Sequence, residues 1–168
     1  DRSLLQIGLA YEQLGEYDQS LAYLDRLIHR YDFSTMTEEQ LRKMKTEQLR
    51  GAVEKTAREL VATAQLQKGD IYAARGEIDL ALDAYGQIPV KYEAEVRLVQ
   101  SSYIKSAELI QEHQGVEAAV SAYRRAIREV DDELFQARTQ LAIARALFEA
   151  GEYERAANEY SVYLDAYG

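Results

Sequence analysis

Two histidines, His29 and His113, are the first residues to weigh for chemistry. A histidine pair can act as general acid and base or contribute to a metal site. These two stand far apart, on separate helical stretches, and a metal site needs several convergent ligands. His29 falls in the last turn of a helical pattern, where partial positive charge suits the carbonyl dipole, and His113 precedes a turn glycine. The expectation is two solvated surface histidines. The acidic clusters Glu38-Glu39 and Asp131-Asp132-Glu133 would suit carboxylate or calcium chemistry. Both stand where a new helix begins, where acids complement the helix dipole, and no calcium-loop alternation of acids around a glycine is present. Arg124, Arg125 and Arg128 form a basic spot ringed by Glu117, Glu129, Asp131 and Asp132, which reads as a solvated face with local ion pairs. The glycines form no phosphate-cradling cluster. With no cysteine, disulfide scaffolds, thiolate zinc sites and cysteine nucleophiles are excluded. No catalytic, metal-binding or cofactor-binding residue is assigned, and a non-enzyme is expected.

The rest of the composition points to a helical chain with a packed core. It has 168 residues, one proline, nine glycines and a charged fraction of 29%, too apolar and too regularly patterned for disorder. Tyrosine is over-represented: 13, against 3 phenylalanines and no tryptophan. The net charge is −9, with 15 acids and 11 bases in residues 1–84 and 14 and 9 in residues 85–168. Nucleic acids and anionic membranes are recognised by positive surfaces, so neither is an expected partner. No run approaches the ~18 apolar residues of a membrane helix. The chain opens at Asp1 and stops at Gly168 directly after a helical pattern, so a processed chain or a piece of a longer one is expected.

The elements follow from a helical period that runs almost throughout. Leu4, Ile7, Gly8 and Tyr11 share one face. A turn at Leu14-Gly15-Glu16 follows, and then Tyr17, Leu21, Leu24, Leu27 and Tyr31 recur at helical spacing. The unit returns. Gly15, Tyr17 and Ser20 match Gly151, Tyr153 and Ala156; another copy has Gly69, Tyr72, Gly76, Ala81 and Tyr85. A further copy, looser by one residue in its turn, has Ala107, Ile110, Gly115, Ala119, Tyr123 and Ala126. Between the first copies, Thr37-Glu38-Glu39-Gln40 reads as a capping box. From there Leu41, Met44, Leu49, Val53, Leu60, Val61 and Ala64 continue the pattern to Ala74, as one long helix or as two broken near Gly51. Pro89 cannot donate to a preceding turn, so the helix from Asp79 is expected to end there and the next to run from Lys91 to His113.

These units resemble the tetratricopeptide repeat, a helix–turn–helix of about 34 residues. The resemblance implies a small residue on the first helix, an aromatic one turn later, a turn glycine, and a small residue on the second helix. Gly8, Tyr11, Gly15 and Ser20 fill those roles, as do Gly69, Tyr72, Gly76 and Ala81. In the last copy Ala144, Leu147, Gly151 and Ala156 do so, with leucine in the aromatic slot. The similarity covers residues 1–34, 62–92, 100–130 and 137–168 as a single array, with 35–61 a helical insertion or extended helix. The fold it implies is all-α: a right-handed superhelical solenoid of eight or nine helices. The proline that often ends a unit is missing at Tyr31-Asp32 and Asp165-Ala166. That is similar to the variant common in bacterial cell-envelope proteins, and it tips the expected compartment toward envelope or periplasm over cytoplasm.

In this repeat family the first helices line a concave groove that binds proteins or peptides. The positions carried over are Leu5, Leu9 and Glu12; Leu66, Asp70 and Ala73; Ile104, Glu108 and Gln111; and Leu141, Arg145 and Phe148. Apolar residues beside acids disfavour carboxylate clamping and suit an apolar, amphipathic or basic segment. Leu5, Leu66 and Leu141 fit equally well as packing between neighbouring repeats. The expected role is a non-catalytic scaffold in an envelope or assembly complex. Two alternatives stand beside it: homo-oligomerisation through the terminal helices, since Tyr160, Val162, Tyr163, Leu164 and Tyr167 make the last helix apolar on more than one face, and a regulatory module of a larger protein.

Overall fold

The structure, a computed structural model, describes residues 2–31, 39 and 52–168. Among these residues the regular structure is all-helical. The helices are α1 (Arg2–Gln13), α2 (Tyr17–Arg30), α3 (Ala52–Ala74), α4 (Ile78–Lys91), α5 (Val96–Gln114), α6 (Val116–Glu129), α7 (Glu133–Glu149) and α8 (Tyr153–Tyr167). They gather into two compact units, Asp1–Leu98 and Val99–Gly168. In the first unit the hairpins α1/α2 and α3/α4 stack through α2 and α3; in the second, α6 packs on α7, and α7 on α8.

Three of the turns are built alike. Gly15, Gly76 and Gly151 take φ of 75°, 75° and 82°, a left-handed conformation that only glycine adopts without strain. Each glycine N–H bonds back three residues, to Glu12, Ala73 and Phe148. The glutamate after each glycine, Glu16, Glu77 or Glu152, bonds back to Tyr11, Tyr72 or Leu147, all at 2.9–3.0 Å. This paired closure satisfies carbonyls at the helix end and fixes an antiparallel partner. Gly115 is different: it is the only residue between α5 and α6, at φ 90° and ψ 175°, a region essentially reserved for glycine.

The small residues set how closely the helices approach. Ser20, Ala81, Ala119 and Ala156 are buried on the second helices. Ser20 Oγ donates to the Gly8 carbonyl at 2.7 Å, and a Cβ on Gly8 would stand 3.0 Å from Leu24. A Cβ on Gly69 would enter the van der Waals envelope of the Tyr85 ring. The first unit's core joins Leu5, Leu24, Leu27, Ala64 and Ile71. The second unit's core includes Ala107, Ala119, Val120, Tyr123, Ile143 and Leu147.

Several expectations need correction. α4 does not stop at Pro89 but runs through it to Lys91. The proline lies in the last turn, where its fixed φ is helical and only one intrahelical bond is forgone. Buried Ile88 anchors that turn, and its carbonyl accepts from Tyr92 N–H at 2.8 Å. α5 accordingly begins at Val96, not Lys91, after a turn in which Glu95 N–H bonds the Tyr92 carbonyl. α3 is a single helix from Ala52. The capping box at Thr37–Gln40 and the possible break at Gly51 lie outside the described residues, and so does Glu38.

Candidate interaction surface on the first helices

His29 and His113 are both exposed in the last turns of their helices. Asp132 caps α7: its Oδ1 accepts from Phe135 N–H at 2.6 Å, which satisfies a donor the helix start leaves free. No group of three or more histidines and acids able to hold a metal occurs among the described residues. An open depression of about 380 Å³ lies at the α1–α2 turn, lined by Gly15 to Gln19 and Arg75. Its cation is engaged by Asp18 and Glu77, each at 2.7 Å, so it offers no free charge to a ligand. In the basic spot on α6, Arg124 is exposed and reaches Glu159 on α8 at 2.6 Å, and its charge also acts on Glu117. Glu117 in turn is bonded by Arg155, which also holds Glu152.

The surface carried over from the repeat resemblance falls on α1, α3, α5 and α7. Its residues stand in one register around each small residue: a turn before it, directly after it, and a turn after it. The first of these positions turns inward. Leu5 and Leu66 are buried, Leu5 against Leu24, Leu27, Ala64 and Ile71. In the second unit Ile104 packs partly buried against the core cluster and Leu141 is half-buried. These leucines serve the core, so they are not exposed anchors.

The other two positions open outward by degrees. In the first unit Leu9 is half-buried against the core, and Glu12 and Ala73 are half-buried as well. Asp70 accepts from the Tyr85 hydroxyl at 2.7 Å. In the second unit Gln111 is half-buried and Glu108 is exposed. Arg145 is exposed too, 3.5 Å from Glu149. Phe148 is 54% exposed, with its ring edge-on to Tyr153 at 5.1 Å between centroids. Beneath this face lies Tyr123. Burial pushes its hydroxyl up to about 12; Glu108 adds to the shift, Arg145 opposes it, and Glu149 adds a smaller part. The phenol thus stays neutral beneath the charges of Glu108 and Arg145.

Sequence reasoning missed the buried polar side chains that tie helix to helix. Gln65 donates to the Ala84 carbonyl at 3.1 Å, and Gln140 donates to Glu159 Oε2 at 2.7 Å. A glutamine on an otherwise small or apolar row was the available signal. The Tyr85–Asp70 bond was legible in principle, because Tyr123 and Glu108 occupy the same two registers.

Family models of the tetratricopeptide repeat match residues 2–34 and 107–168, together more than half of the chain. No curated protein matches significantly. Among solved structures, the chain is similar to the nearly identical TPR-like repeats described for a Podosopora anserina kinesin light chain, at 18% identity and a TM-score of 0.47. That match covers 98% of this chain and 93% of the other. With two matching repeat models, small residues buried where the hairpins close, and three identical glycine turns, the chain belongs to the tetratricopeptide-repeat family.

Proposed function

We propose that the chain is a non-catalytic interaction module that binds a protein segment on the outward positions of its first helices. Tetratricopeptide repeats generally mediate protein–protein contact, and the observation that supports this face is Phe148. A phenylalanine more than half exposed beside Tyr153 is an aromatic anchor of the kind that dominates interface energetics. Around it, Arg145 is paired with Glu149, which leaves Glu108 to set the local charge. An amphipathic segment with an apolar residue for Phe148 and a basic residue for Glu108 fits best. The missing repeat-ending proline favours an envelope or assembly complex as the setting. No helix among the described residues is long and apolar enough to cross a membrane.

The test uses two synthetic amphipathic peptides, one of lysine and leucine and one of glutamate and leucine, titrated by fluorescence anisotropy. The basic peptide is expected to bind saturably and the acidic one not. Phe148→Glu should weaken binding by about tenfold or more. Equal affinity of Phe148→Glu and the parent chain would remove this face from consideration.

A further inference from the structure

Each unit sets a carboxylate on a first helix beside a tyrosine from the second: Asp70 and Tyr85, then Glu108 and Tyr123. In the first unit the Tyr85 hydroxyl donates to Asp70 Oδ1 at 2.7 Å. The ring reaches that carboxylate by lying against the bare backbone of Gly69, where a Cβ would enter it. The second unit has Ala107 in the Gly69 register, so this pose is closed to Tyr123. Tyr123 is only 3% exposed. Its hydroxyl nevertheless makes no hydrogen bond among the described residues, and Glu108, Arg145 and Glu149 act on it through their charge alone. No side-chain polar atom sealed from solvent lacks a partner among the described residues. The Tyr123 oxygen therefore touches water while its ring stays enclosed. Glu108 and Arg145 are both exposed above it, and Arg145 stands 3.5 Å from Glu149.

We propose that this open pair is a seat for a lysine side chain of the bound segment, whose ammonium donates to the Glu108 carboxylate at the rim and to the Tyr123 hydroxyl oxygen at the floor. The seat rests on the reading of this face as the binding surface and adds to it which base is selected. A phenol oxygen keeps lone pairs for an incoming donor while its own proton turns to water or to a carboxylate. The field at that oxygen favours a cation, because Glu108 acts on it more strongly than Arg145 does, and Glu149 adds to Glu108. Depth favours lysine. An ammonium is a compact donor on an unbranched stem, and its three N–H groups can serve acceptors at two levels. A guanidinium is a flat fork matched to the two oxygens of one carboxylate. Glu108 alone would suit arginine; the enclosed hydroxyl beneath it turns the preference toward lysine.

Fluorescence anisotropy with the lysine–leucine peptide and an arginine–leucine counterpart of equal length tests this. The parent chain should bind the lysine peptide about fivefold more tightly than the arginine peptide. Tyr123→Phe removes one oxygen and keeps the ring. It should weaken binding of the lysine peptide by about fivefold and leave the arginine peptide within about twofold, so that the preference disappears. Phe148→Glu should weaken both peptides alike, because it damages the face and not the seat. Circular dichroism checks that both variants retain their helices. If Phe148→Glu weakens both peptides but the parent chain binds them equally, or Tyr123→Phe changes neither, the face stands and the lysine seat is overturned. If neither peptide binds saturably, or Phe148→Glu has no effect, the face itself falls and the seat falls with it.

Discussion

The α2/α3 and α6/α7 junctions join equivalent helices with different chemistry. Across α2/α3, the register a residue before Gly69 holds Lys68, paired with Asp25. Across α6/α7 the same register holds Ile143, fully buried in the core cluster. The charges of the second unit run instead between second helices, from Arg155 to Glu117 and from Arg124 to Glu159. The repeat therefore specifies which positions meet and leaves open what meets there. A lysine with a partner and an isoleucine in a dry cluster are both workable.

Swapping the two chemistries should break the equivalence most sharply. Ile143→Lys buries an ammonium with no acid opposite it. Urea denaturation should show a loss of about 3 kcal/mol or more, or a second unit that no longer folds. Next comes the closest approach in the first unit. Gly69→Ala forces the Tyr85 ring aside and should lower stability by about 1–3 kcal/mol, although Ala107 and Tyr123 coexist in the same registers of the second unit. Shortening the ring by Tyr85→Leu, the Leu24 solution, should recover part of that loss.

Tyr123 sharpens the comparison through pH. Its folded hydroxyl sits at about 12, above the ordinary 10. The unfolded chain loses this proton first, so the stabilisation is complete below about pH 10 and is lost as pH rises toward 12. Tyr123→Phe should flatten that part of the alkaline profile, as thermal unfolding at a series of pH values would show. The smallest effect is expected of Lys68→Ile, the reverse swap. It removes a partly exposed pair and supplies apolar area, so its stability should stay within about 1 kcal/mol of the parent.

The contrast also explains what could be read from the sequence. Gly8, Gly69, Ala107 and Ala144 announce themselves because close helix approach tolerates little else. The all-helical hairpins and their turns followed from them. The surface was harder. Leu5 and Leu66 look the same in sequence whether they face a partner or the core, and only the neighbouring helix decides that they are buried. Pro89 misled for a related reason. A proline ends a helix only where its lost bond outweighs local packing, and burial of Ile88 holds the last turn in place.

The closing contacts of the hairpins also set a timescale. Ser20 reaches back 12 residues to Gly8, Asp70 and Tyr85 are 15 apart, and Gln65 and Ala84 are 19 apart. Loops this short close in well under a microsecond, and chains dominated by such near neighbours fold fast. Each glycine turn can therefore draw its two helices together while later residues are still leaving the ribosome, so hairpins can form in the order they are made.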